Sequence, residues 1–333
     1  MKQLHGSISE VQHAPLSESK QANHAFSTPT IAILLCTYFG ERFLSEQLDS
    51  YLTQSHDNWE LWVSDDGSDD QTRTILKHYS QKNPNRNVQV IDGPGQGFVR
   101  NFMSLASNSA IKADYYAWSD QDDIWAPDKL ERAASWLSTQ PQDIPALYCS
   151  RTKLVDAANQ KIGCSPLYNK KPSFRNALMQ NIGGGNTMVF NHAAKLLLQQ
   201  TPAELTLVSH DWWAYLLVSA SGGSVYYDEN PSLNYRQHTD NLVGGNTSWA
   251  ARIKRIRLLF QGRFYEWNSL NISALQAMSD HITPANRHVL NQFIRARQAS
   301  LPIRLIALKK AGIYRQTLFG NLGLVAAAIF NKI

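Results

Sequence analysis

The sequence predicts an α/β protein with a doubly wound, mostly parallel sheet flanked by helices, followed by a basic helical C-terminal extension. Strand-like runs and helical patterns alternate four times from residue 30 onward, which is typical of a parallel sheet built from β–α units. The first run, 30–37, is apolar without alternation, as expected of a strand buried on both faces. Carboxylates follow two of the strands, at the edge where such sheets bind ligands.

The first half of the chain provides these four units in order. Apolar residues recur at helical spacing over 41–54, after the first strand. The segment Asp65–Asp70 offers N-caps for the second helix, and Pro127 occupies a first-turn position of the fourth. The predicted strands are 30–37, 59–64, 87–91 and 115–118, and a glycine-rich turn at 93–97 leads into the third helix.

The second half has a looser pattern. A glycine turn at 183–185 joins a short strand, and Ser209–Trp213 begins an apolar helix that continues through Leu217. Residues 224–227 are expected to form another strand. From residue 249 onward the pattern is helical and basic.

Charge divides the chain into three parts. Residues 1–28 are polar, lack the apolar core of a secretory signal, and are expected to form a flexible tail. Residues 29–247 contain the predicted catalytic domain, and 248–333 form the basic extension. The extension has 13 lysines and arginines against two acidic residues, a net charge of +11 in a chain of net +5, which leaves −6 for the rest. This distribution of charge predicts that the acidic body carries the chemistry and that the basic extension contacts an anionic partner.

Composition and spacing disfavour several classes of protein. The hydrophobic share of 43% is enough for a large core. Three widely spaced cysteines argue against a disulfide framework or a cysteine zinc site and fit a reducing cytosol. No apolar run reaches the length of about 18 residues that a spanning helix needs. Arg100 stands where GxGxxG requires its last glycine, which disfavours a Rossmann oxidoreductase, and the acidic body without a binding motif disfavours nucleic acid.

Asp120 and Asp122 form the first candidate site. Two carboxylates at i and i+2 that leave a strand can point to one side of a loop and hold Mg²⁺ or Mn²⁺, hard cations that prefer oxygen ligands. The alternative is a solvated acidic turn with one aspartate as a helix N-cap. Because Asp65 and Asp66 follow a neighbouring strand at the same sheet edge, the metal site is the favoured interpretation.

Six motifs in family order resemble inverting family 2 glycosyltransferases of the GT-A fold, and most of all the bacterial rhamnosyltransferases that use dTDP-L-rhamnose. The resemblance covers about the first 240 residues. The motifs are CTY at 36–38, DDGSDD at 65–70, SDQDDIW at 119–125, GGNTMVFN at 184–191, HDWW at 210–213 and YRQHTDN at 235–241. The family commonly has Thr where Asp69 stands, which weakens that motif without removing Asp65 or Asp66.

The resemblance implies a role for each matching residue. Asp211 occupies the position of the catalytic base, and Asp122 occupies that of a metal ligand. Apart from the resemblance, a neutral imidazole at His238 could complete the shell of the metal ion. The resemblance also assigns Thr37, Tyr38, Glu41, Asp65 and Asp120 to the nucleotide-sugar, and the residues themselves add Asp66 and Arg236, whose guanidinium could counter the diphosphate. Trp212 and Trp213 could stack on sugar faces, and Gly184 and Asn186 belong to a glycine turn that lets the backbone approach the acceptor.

The chemistry of sugar transfer needs the same groups. Displacing a nucleoside diphosphate from an anomeric carbon requires neutralisation of the leaving charge, which a divalent ion supplies, and a base for the acceptor hydroxyl. Asp211 begins an apolar helix, whose dipole favours the carboxylate. The alternative is that Ser209 or Asp211 only caps the helix while Trp212 and Trp213 pack in the core.

The basic extension contains two segments of interest. Residues 250–260 are expected to form an amphipathic cationic helix, and 318–330 are apolar but too short to span a bilayer. Both suit a cytoplasmic protein on the inner face of the cell membrane, where lipid-linked glycan acceptors for surface polysaccharides such as O-antigen or capsule are found. The alternative is that these helices pack on the catalytic domain.

Two other functions share part of this pattern. A nucleotidyltransferase also uses strand-end carboxylates and a cation, but its glycine-rich basic first loop is missing after Thr37. A non-catalytic membrane-surface adaptor could keep the fold, although it would not need Asp120, Asp122 and Asp211.

Overall fold

The computed structural model describes residues 28–237 and 263–333. Three sequence predictions lie outside these ranges: the N-terminal tail up to residue 27, the metal ligand His238 and the cationic helix over 250–260.

The main sheet has seven strands in the order β10-β6-β9-β4-β1-β2-β3. All neighbours in it are parallel except β9, which runs antiparallel between β4 and β6. The strands are β1 Ile31–Thr37, β2 Trp59–Asp65, β3 Val88–Asp92, β4 Tyr115–Ser119, β5 Ile124–Trp125, β6 Ala146–Ser150, β7 Lys153–Val155, β8 Lys161–Cys164, β9 Val189–Asn191, β10 Ser224–Asp228 and β11 Leu233–Arg236. The doubly wound, mostly parallel sheet of the predicted fold class is confirmed.

Helices cover both faces of this sheet. They are α1 Leu44–Leu52, α2 Thr72–Lys82, α3 Phe98–Ser107, α4 Lys129–Leu137, α5 Phe174–Ala177, α6 His192–Gln199, α7 His210–Ala220, α8 Arg263–Ala277, α9 Pro284–Gln298, α10 Leu301–Ala311 and α11 Leu318–Ile329. No helix within 28–237 or 263–333 has both the length and the apolar character to cross a bilayer.

Strand β1 shows why the opening run has no alternation. Its odd-numbered residues, such as Ile33, pack with α1, α2 and α4, whereas its even-numbered residues, such as Leu34, pack with α3, α6 and α7. Both faces of the strand are therefore core, as a continuous apolar run predicts.

The last four helices share the second of these cores. Leu275 of α8 and Phe293 of α9 are fully buried in the same cluster as Trp213 of α7. Polar contacts also join the parts: Tyr314 Oη bonds Ser173 Oγ at 2.8 Å, and Gln316 Nε2 donates to Asn176 Oδ1 at 3.1 Å. The described part of the extension thus packs on the body, which was one of the two alternatives raised by the sequence.

The order of strands places the site. The chain moves from β1 outward to β2 and β3 and then returns to β4 on the other side of β1, so the carboxyl ends of β1 and β4 border the crevice where such sheets bind ligands. A second sheet, β5-β11-β7-β8, lies beside this edge. Its antiparallel pair β5 and β11 brings Arg236 next to the loop that follows β4.

Candidate active site

Asp65 ends strand β2 directly beside Thr37 at the end of β1. Its carboxylate is almost fully buried and accepts four hydrogen bonds, from Thr37 Oγ1 at 2.8 Å, Ser68 Oγ at 2.6 Å, Ser68 N at 3.1 Å and Arg73 Nε at 2.7 Å. Burial alone would raise the pKa of Asp65, but the bonds from Ser68, Thr37 and Arg73 hold it below its ordinary value. Asp65 is therefore an ionised anchor that ties the first two strand-end loops together.

Asp66 fixes the glycine turn that follows β3. Its two oxygens accept hydrogen bonds from Gly95 N at 2.7 Å and Gly97 N at 2.9 Å. Both glycines have positive φ, +64° and +84°, a conformation that side chains rarely adopt. Asp66 was predicted to bind the nucleotide-sugar, and the structure shows it supporting the wall of the crevice.

The loop after β1 carries the other predicted nucleoside contacts. Tyr38 exchanges two hydrogen bonds of 2.8 Å with the side chain of Gln121, which joins this loop to the one after β4. Glu41 is exposed, and its Oε2 accepts from Gln71 N at 3.0 Å. The Tyr38 ring is 57% exposed and meets the ring of Phe39 edge to face at 4.5 Å, so two aromatic faces stand at the rim of the crevice.

Three carboxylates cluster in the loop after β4. Oxygen atoms of Asp120, Asp122 and Asp123 lie within 4.8 Å of one another. Desolvation and the negative charges of Asp122 and Asp211 raise the pKa of Asp120 to about 7. Burial and the charges of Asp122 and Asp120 raise the pKa of Asp123 well above its ordinary value. Hard oxygen donors with this excess of negative charge fit Mg²⁺ or Mn²⁺.

Asp123 was not singled out by sequence, and it supports the cluster from within. It is fully buried, accepts from Asn186 Nδ2 at 2.5 Å and lies 3.4 Å from the backbone nitrogen of Arg236. Asn186, which was expected to bind the acceptor, is itself buried. Its hydrogen bond to Asp123 connects the loop of residues 184–186 to the acidic cluster.

Lys129 is a second residue that sequence reasoning missed. It is completely buried, its Nζ lies 3.5 Å from the centre of the Trp125 ring, and it donates to the carbonyl oxygen of Asn186. Desolvation lowers its pKa well below the usual value, against the attraction of Asp123 and Asp120. A positive charge at the first residue of a helix is disfavoured by the helix dipole. This unfavourable position is the feature of the sequence by which Lys129 could have been singled out.

Arg236 lies beside the acidic cluster, with protein groups as its contacts. Its guanidinium donates to the carbonyl oxygens of Asp122 at 3.0 Å and Ala157 at 2.9 Å and to Glu46 Oε2 at 2.7 Å, and it covers the Phe43 ring at 4.3 Å. Its side chain is almost fully buried. These bonds hold the backbone of the proposed metal loop, whereas the sequence predicted a contact with the diphosphate.

Asp211 stands in the first turn of α7 and is half-buried. Its Oδ1 accepts from Ser209 Oγ at 2.5 Å and Trp212 N at 2.7 Å, whereas Oδ2 accepts no hydrogen bond from the residues that the structure describes. The charge of Asp211 contributes to the raised pKa of Asp120, so the two carboxylates lie close enough for their charges to interact. This interaction supports placing the predicted base and the acidic cluster in one candidate site.

The two tryptophans after Asp211 correct the sequence analysis. Trp212 and Trp213 are 5% and 1% exposed, and their indole nitrogens donate to Ala177 O and Thr201 Oγ1 at 2.7 and 2.9 Å. An indole enclosed on both sides has no face for a sugar, so these side chains are core residues, as the alternative reading held. They fix helix α7 and with it Asp211.

His210 precedes Asp211 and is packed tightly under the site. Its ring stacks on Phe102 at 4.0 Å and meets Trp118 edge to face at 4.8 Å. Neither ring nitrogen has a hydrogen-bond partner within the described chain, and burial lowers the pKa of His210 to about 4. A Cβ at Gly185 would lie 2.2 Å from His210 Nε2, so only glycine fits there.

Gly184 lines a cleft near the same loop that has both polar and apolar walls. The cleft has a volume of about 200 Å³. Its polar walls come from Ser150, Thr152, Ser165 and Asn181. Unlike Asn186, Gly184 is exposed, and it remains a candidate for contact with the acceptor.

Comparisons with known proteins indicate the family to which this chain belongs. The family model "Glycosyl transferase family 2" matches residues 32–199, half of the chain. The dTDP-rhamnosyl transferase RfbG of Shigella flexneri is 29% identical over 241 residues, which cover 68% of this chain and 78% of that protein. An uncharacterized glycosyltransferase of Rickettsia typhi is 26% identical over 226 residues, 63% of this chain and 65% of its own length.

Two solved structures align over most of the chain at low sequence identity. The mannosyltransferase PcManGT from Pyrobaculum calidifontis, solved with GDP-Man and Mn²⁺, aligns over 92% of this chain and 86% of its own, with 16% identity and a TM-score of 0.49. TarS 1–349 of S. aureus with UDP aligns over 85% and 90%, with 15% identity and a TM-score of 0.49. On the family match, which begins in β1 and passes through the acidic cluster, this chain belongs to glycosyltransferase family 2.

Proposed function

We propose that this chain is an inverting, metal-dependent rhamnosyltransferase that moves L-rhamnose from dTDP-L-rhamnose to a saccharide or lipid-linked acceptor in bacterial surface polysaccharide synthesis. The observation that carries the proposal is the acidic cluster of Asp120, Asp122 and Asp123 at the carboxyl edge of the sheet, together with the charge of Asp211, which contributes to the raised pKa of Asp120. The choice of donor rests on the relative from Shigella flexneri, which is named a dTDP-rhamnosyl transferase.

The donor is proposed to lie across the ends of β1, β2 and β4. The exposed ring of Tyr38 would cover the nucleoside, and Thr37 and Asp65 would form the floor below it. Asp120 and Asp122 would hold Mg²⁺ or Mn²⁺, which when bound neutralises charge on the departing diphosphate. Arg236 holds the loop of these ligands through its bond to the carbonyl oxygen of Asp122, and Lys129 holds the neighbouring loop through its bond to the carbonyl oxygen of Asn186.

Asp211 is proposed as the base. Its Oδ2 would take the proton of the acceptor hydroxyl as the new bond to the anomeric carbon forms and the bond to the diphosphate breaks. Ser209 and the Trp212 backbone both bind Oδ1, so they orient the carboxylate and leave Oδ2 for the proton. The dipole of α7 favours the ionised form.

The nucleotide can be identified by thermal unfolding of the full chain with dTDP, UDP or GDP and Mn²⁺. A ligand that binds only the folded protein raises the melting temperature, and we expect the largest rise with dTDP and a smaller one when Mn²⁺ is omitted. Asp122→Ala should lose the Mn²⁺-dependent part. Asp143→Ala, an exposed aspartate before β6, is the matched control. A larger rise with UDP or GDP would refute the proposed donor.

The base is tested by Asp211→Asn. We expect the rate of dTDP release from dTDP-L-rhamnose with a lipid-linked saccharide acceptor to fall by about 10²–10⁴-fold, the usual contribution of a general base. The Mn²⁺-dependent rise of melting temperature with dTDP should remain. Asp143→Asn should leave the rate unchanged. Turnover within about threefold of the wild type would remove Asp211 from this role.

A further inference from the structure

Helix α10 is built with its apolar side outward. Leu301, Ile303, Leu305 and Ile306 are all at least 39% exposed, whereas Arg304 in their midst is 7% exposed. A helix on the surface of a protein in water shows the opposite pattern, with charged side chains outside. This arrangement indicates that the outer side of α10 meets something other than water.

The inward position of Arg304 is fixed by specific bonds. Its guanidinium donates to the carbonyl oxygens of Ala296 at 3.2 Å, Ala299 at 2.8 Å and Ala328 at 2.7 Å. These carbonyls belong to the C-terminal ends of α9 and α11, where a cation is favoured. Since Arg304 closes these two helix ends, rotation of α10 to hide its leucines would break all three bonds.

Helix α11 shows the same outward apolar side. Leu318, Leu322, Val325 and Ile329 follow each other at helical spacing and are all exposed, and Phe319 is 83% exposed. The opposite face packs inward through Leu324, Ala327 and Ala328, and the helix contains no charged residue. Exposed phenylalanine beside a continuous apolar stripe marks an interaction surface.

The charges around these helices are of one sign. Residues 281–333 contain eight lysines and arginines and no aspartate or glutamate, and Arg295, Lys309 and Lys310 are exposed. With an apolar surface, such a positive border fits the headgroups and upper acyl chains of an anionic bilayer. A symmetric pair of these surfaces would bring lysines together without acidic partners from this segment, which disfavours a second copy as the occupant.

We propose that the outward faces of α10 and α11 dock on an anionic lipid bilayer, with Ile306, Phe319, Leu322, Val325 and Ile329 inserted at the headgroup boundary and Lys309 and Lys310 on the anionic headgroups. The proposal is separate from the transfer reaction, because vesicle binding needs neither donor nor acceptor. The sequence predicted a membrane contact through residues 250–260 and 318–330. Helix α10 and the individual inserted side chains are additions from the structure.

The test is co-sedimentation of the full chain with vesicles of phosphatidylcholine alone or mixed with phosphatidylglycerol. The wild type should pellet with the mixed vesicles and much less with the neutral ones. The double variant Phe319→Ser/Leu322→Ser should partition at least about tenfold more weakly because it loses two large apolar side chains from the lipid phase. Lys309→Glu/Lys310→Glu should lower binding to the mixed vesicles by about tenfold.

Ile162→Ser is the matched control, since Ile162 on β8 is 59% exposed and lies outside the extension. It should pellet like the wild type. Far-ultraviolet circular dichroism and the melting temperature without ligand verify that each variant is folded. Equal pelleting of the wild type and Phe319→Ser/Leu322→Ser would overturn the proposal, and so would equal binding to neutral vesicles. A wild-type dimer that this variant dissociates, without vesicle binding, would assign the surface to a second copy instead.

Discussion

His210 is the residue at which burial and charge conflict most clearly. The neutral ring is stacked between aromatic neighbours without a hydrogen bond to the described chain, and its pKa is lowered to about 4. The folded state therefore resists protonation, whereas the unfolded chain binds a proton below about pH 6.5. Since the unfolded state holds more protons between these values, stability must fall as pH decreases from about 6.5 to about 4 and is unaffected above that range.

We expect the free energy of unfolding to fall by about 3 kcal/mol because of His210 when the pH is lowered from 7 to 4. His210→Leu should abolish that part of the acid dependence, as measured by urea unfolding at several pH values. His78→Gln, at an exposed histidine of α2, serves as the control and should follow the wild type. An unchanged pH slope in His210→Leu would mean that another group causes the acid sensitivity.

Lys129 and Asp123 are both fully buried near the acidic cluster, and each favours the charged form of the other, whereas burial favours their neutral forms. Removing one partner of a buried pair leaves the other uncompensated, so Lys129→Met should lower the free energy of unfolding by about 3–5 kcal/mol. The double variant Lys129→Met/Asp123→Asn should recover part of that loss. Urea unfolding of both single variants and the double variant measures the coupling. Strictly additive losses would show that the two residues do not act as a pair.

The contrast between Asp211 and its neighbours shows what sequence can say about single residues. Capping and the helix dipole could explain a carboxylate at the start of an apolar helix, but in the structure the charge of Asp211 also reaches Asp120. Trp212 and Trp213 follow in the same motif, but they face the core. Which way a large side chain points depends on the packing of α7 against distant elements, which a local motif does not contain.

At the scale of elements, the loop of Gly185 couples the acidic cluster to helix α7. A Cβ at this position would lie 2.2 Å from His210 Nε2, a distance that forces one element to move. Gly185→Ala should lower the free energy of unfolding by about 1–3 kcal/mol, the usual cost of overpacking, and should reduce dTDP release because Asp211 adjoins the displaced histidine.

Two comparisons isolate the cause of that loss. At Gly163 in β8, a Cβ would have no atom within 4 Å, so Gly163→Ala should be nearly neutral. The substitution His210→Ala removes the ring with which the added Cβ would collide. The loss of unfolding free energy in the double variant Gly185→Ala/His210→Ala, measured by urea unfolding, should therefore be smaller than the sum of the two single losses. Full additivity would place the cost of Gly185→Ala elsewhere.

The elements themselves differ in how far sequence predicts them. Strands β1, β2, β3, β4 and β10 begin and end within one residue of their predicted bounds, because buried parallel strands are continuous apolar runs between turn residues. The pair β5 and β11 was missed. Strand β5 has only two residues and β11 four, too short to show a period, and their pairing joins residues more than 100 positions apart.

For the molecule as a whole, topology made the main features of the site predictable. Parallel strands end at one edge of the sheet, so carboxylates after β2 and β4 had to approach each other. In the structure, Asp65 ends β2 and Asp120 follows β4, so the two residues stand at the same sheet edge on the two sides of β1. Lys129 and His210 could not be found this way, because each is placed by packing between elements that are distant in sequence.

The extension and the body share a core, which makes a prediction for the unfolding of the whole chain. Phe293 of α9 is fully buried in the cluster that also contains Phe174 and Trp213. Phe293→Ala should lower the free energy of unfolding by about 3–5 kcal/mol. The described parts should still unfold in a single transition, seen together by tryptophan fluorescence and circular dichroism.

The matched control is Phe319→Ala, at the same residue type in the same extension but with 83% of its side chain exposed. Its effect should stay within about 0.5 kcal/mol, because an exposed ring loses little on truncation. An early separate transition in Phe293→Ala, with the dTDP-dependent rise in melting temperature intact, would contradict the shared core. In that case the α8–α11 region would be a distinct folding unit, because loss of its packing would leave the nucleotide site in the body unaffected.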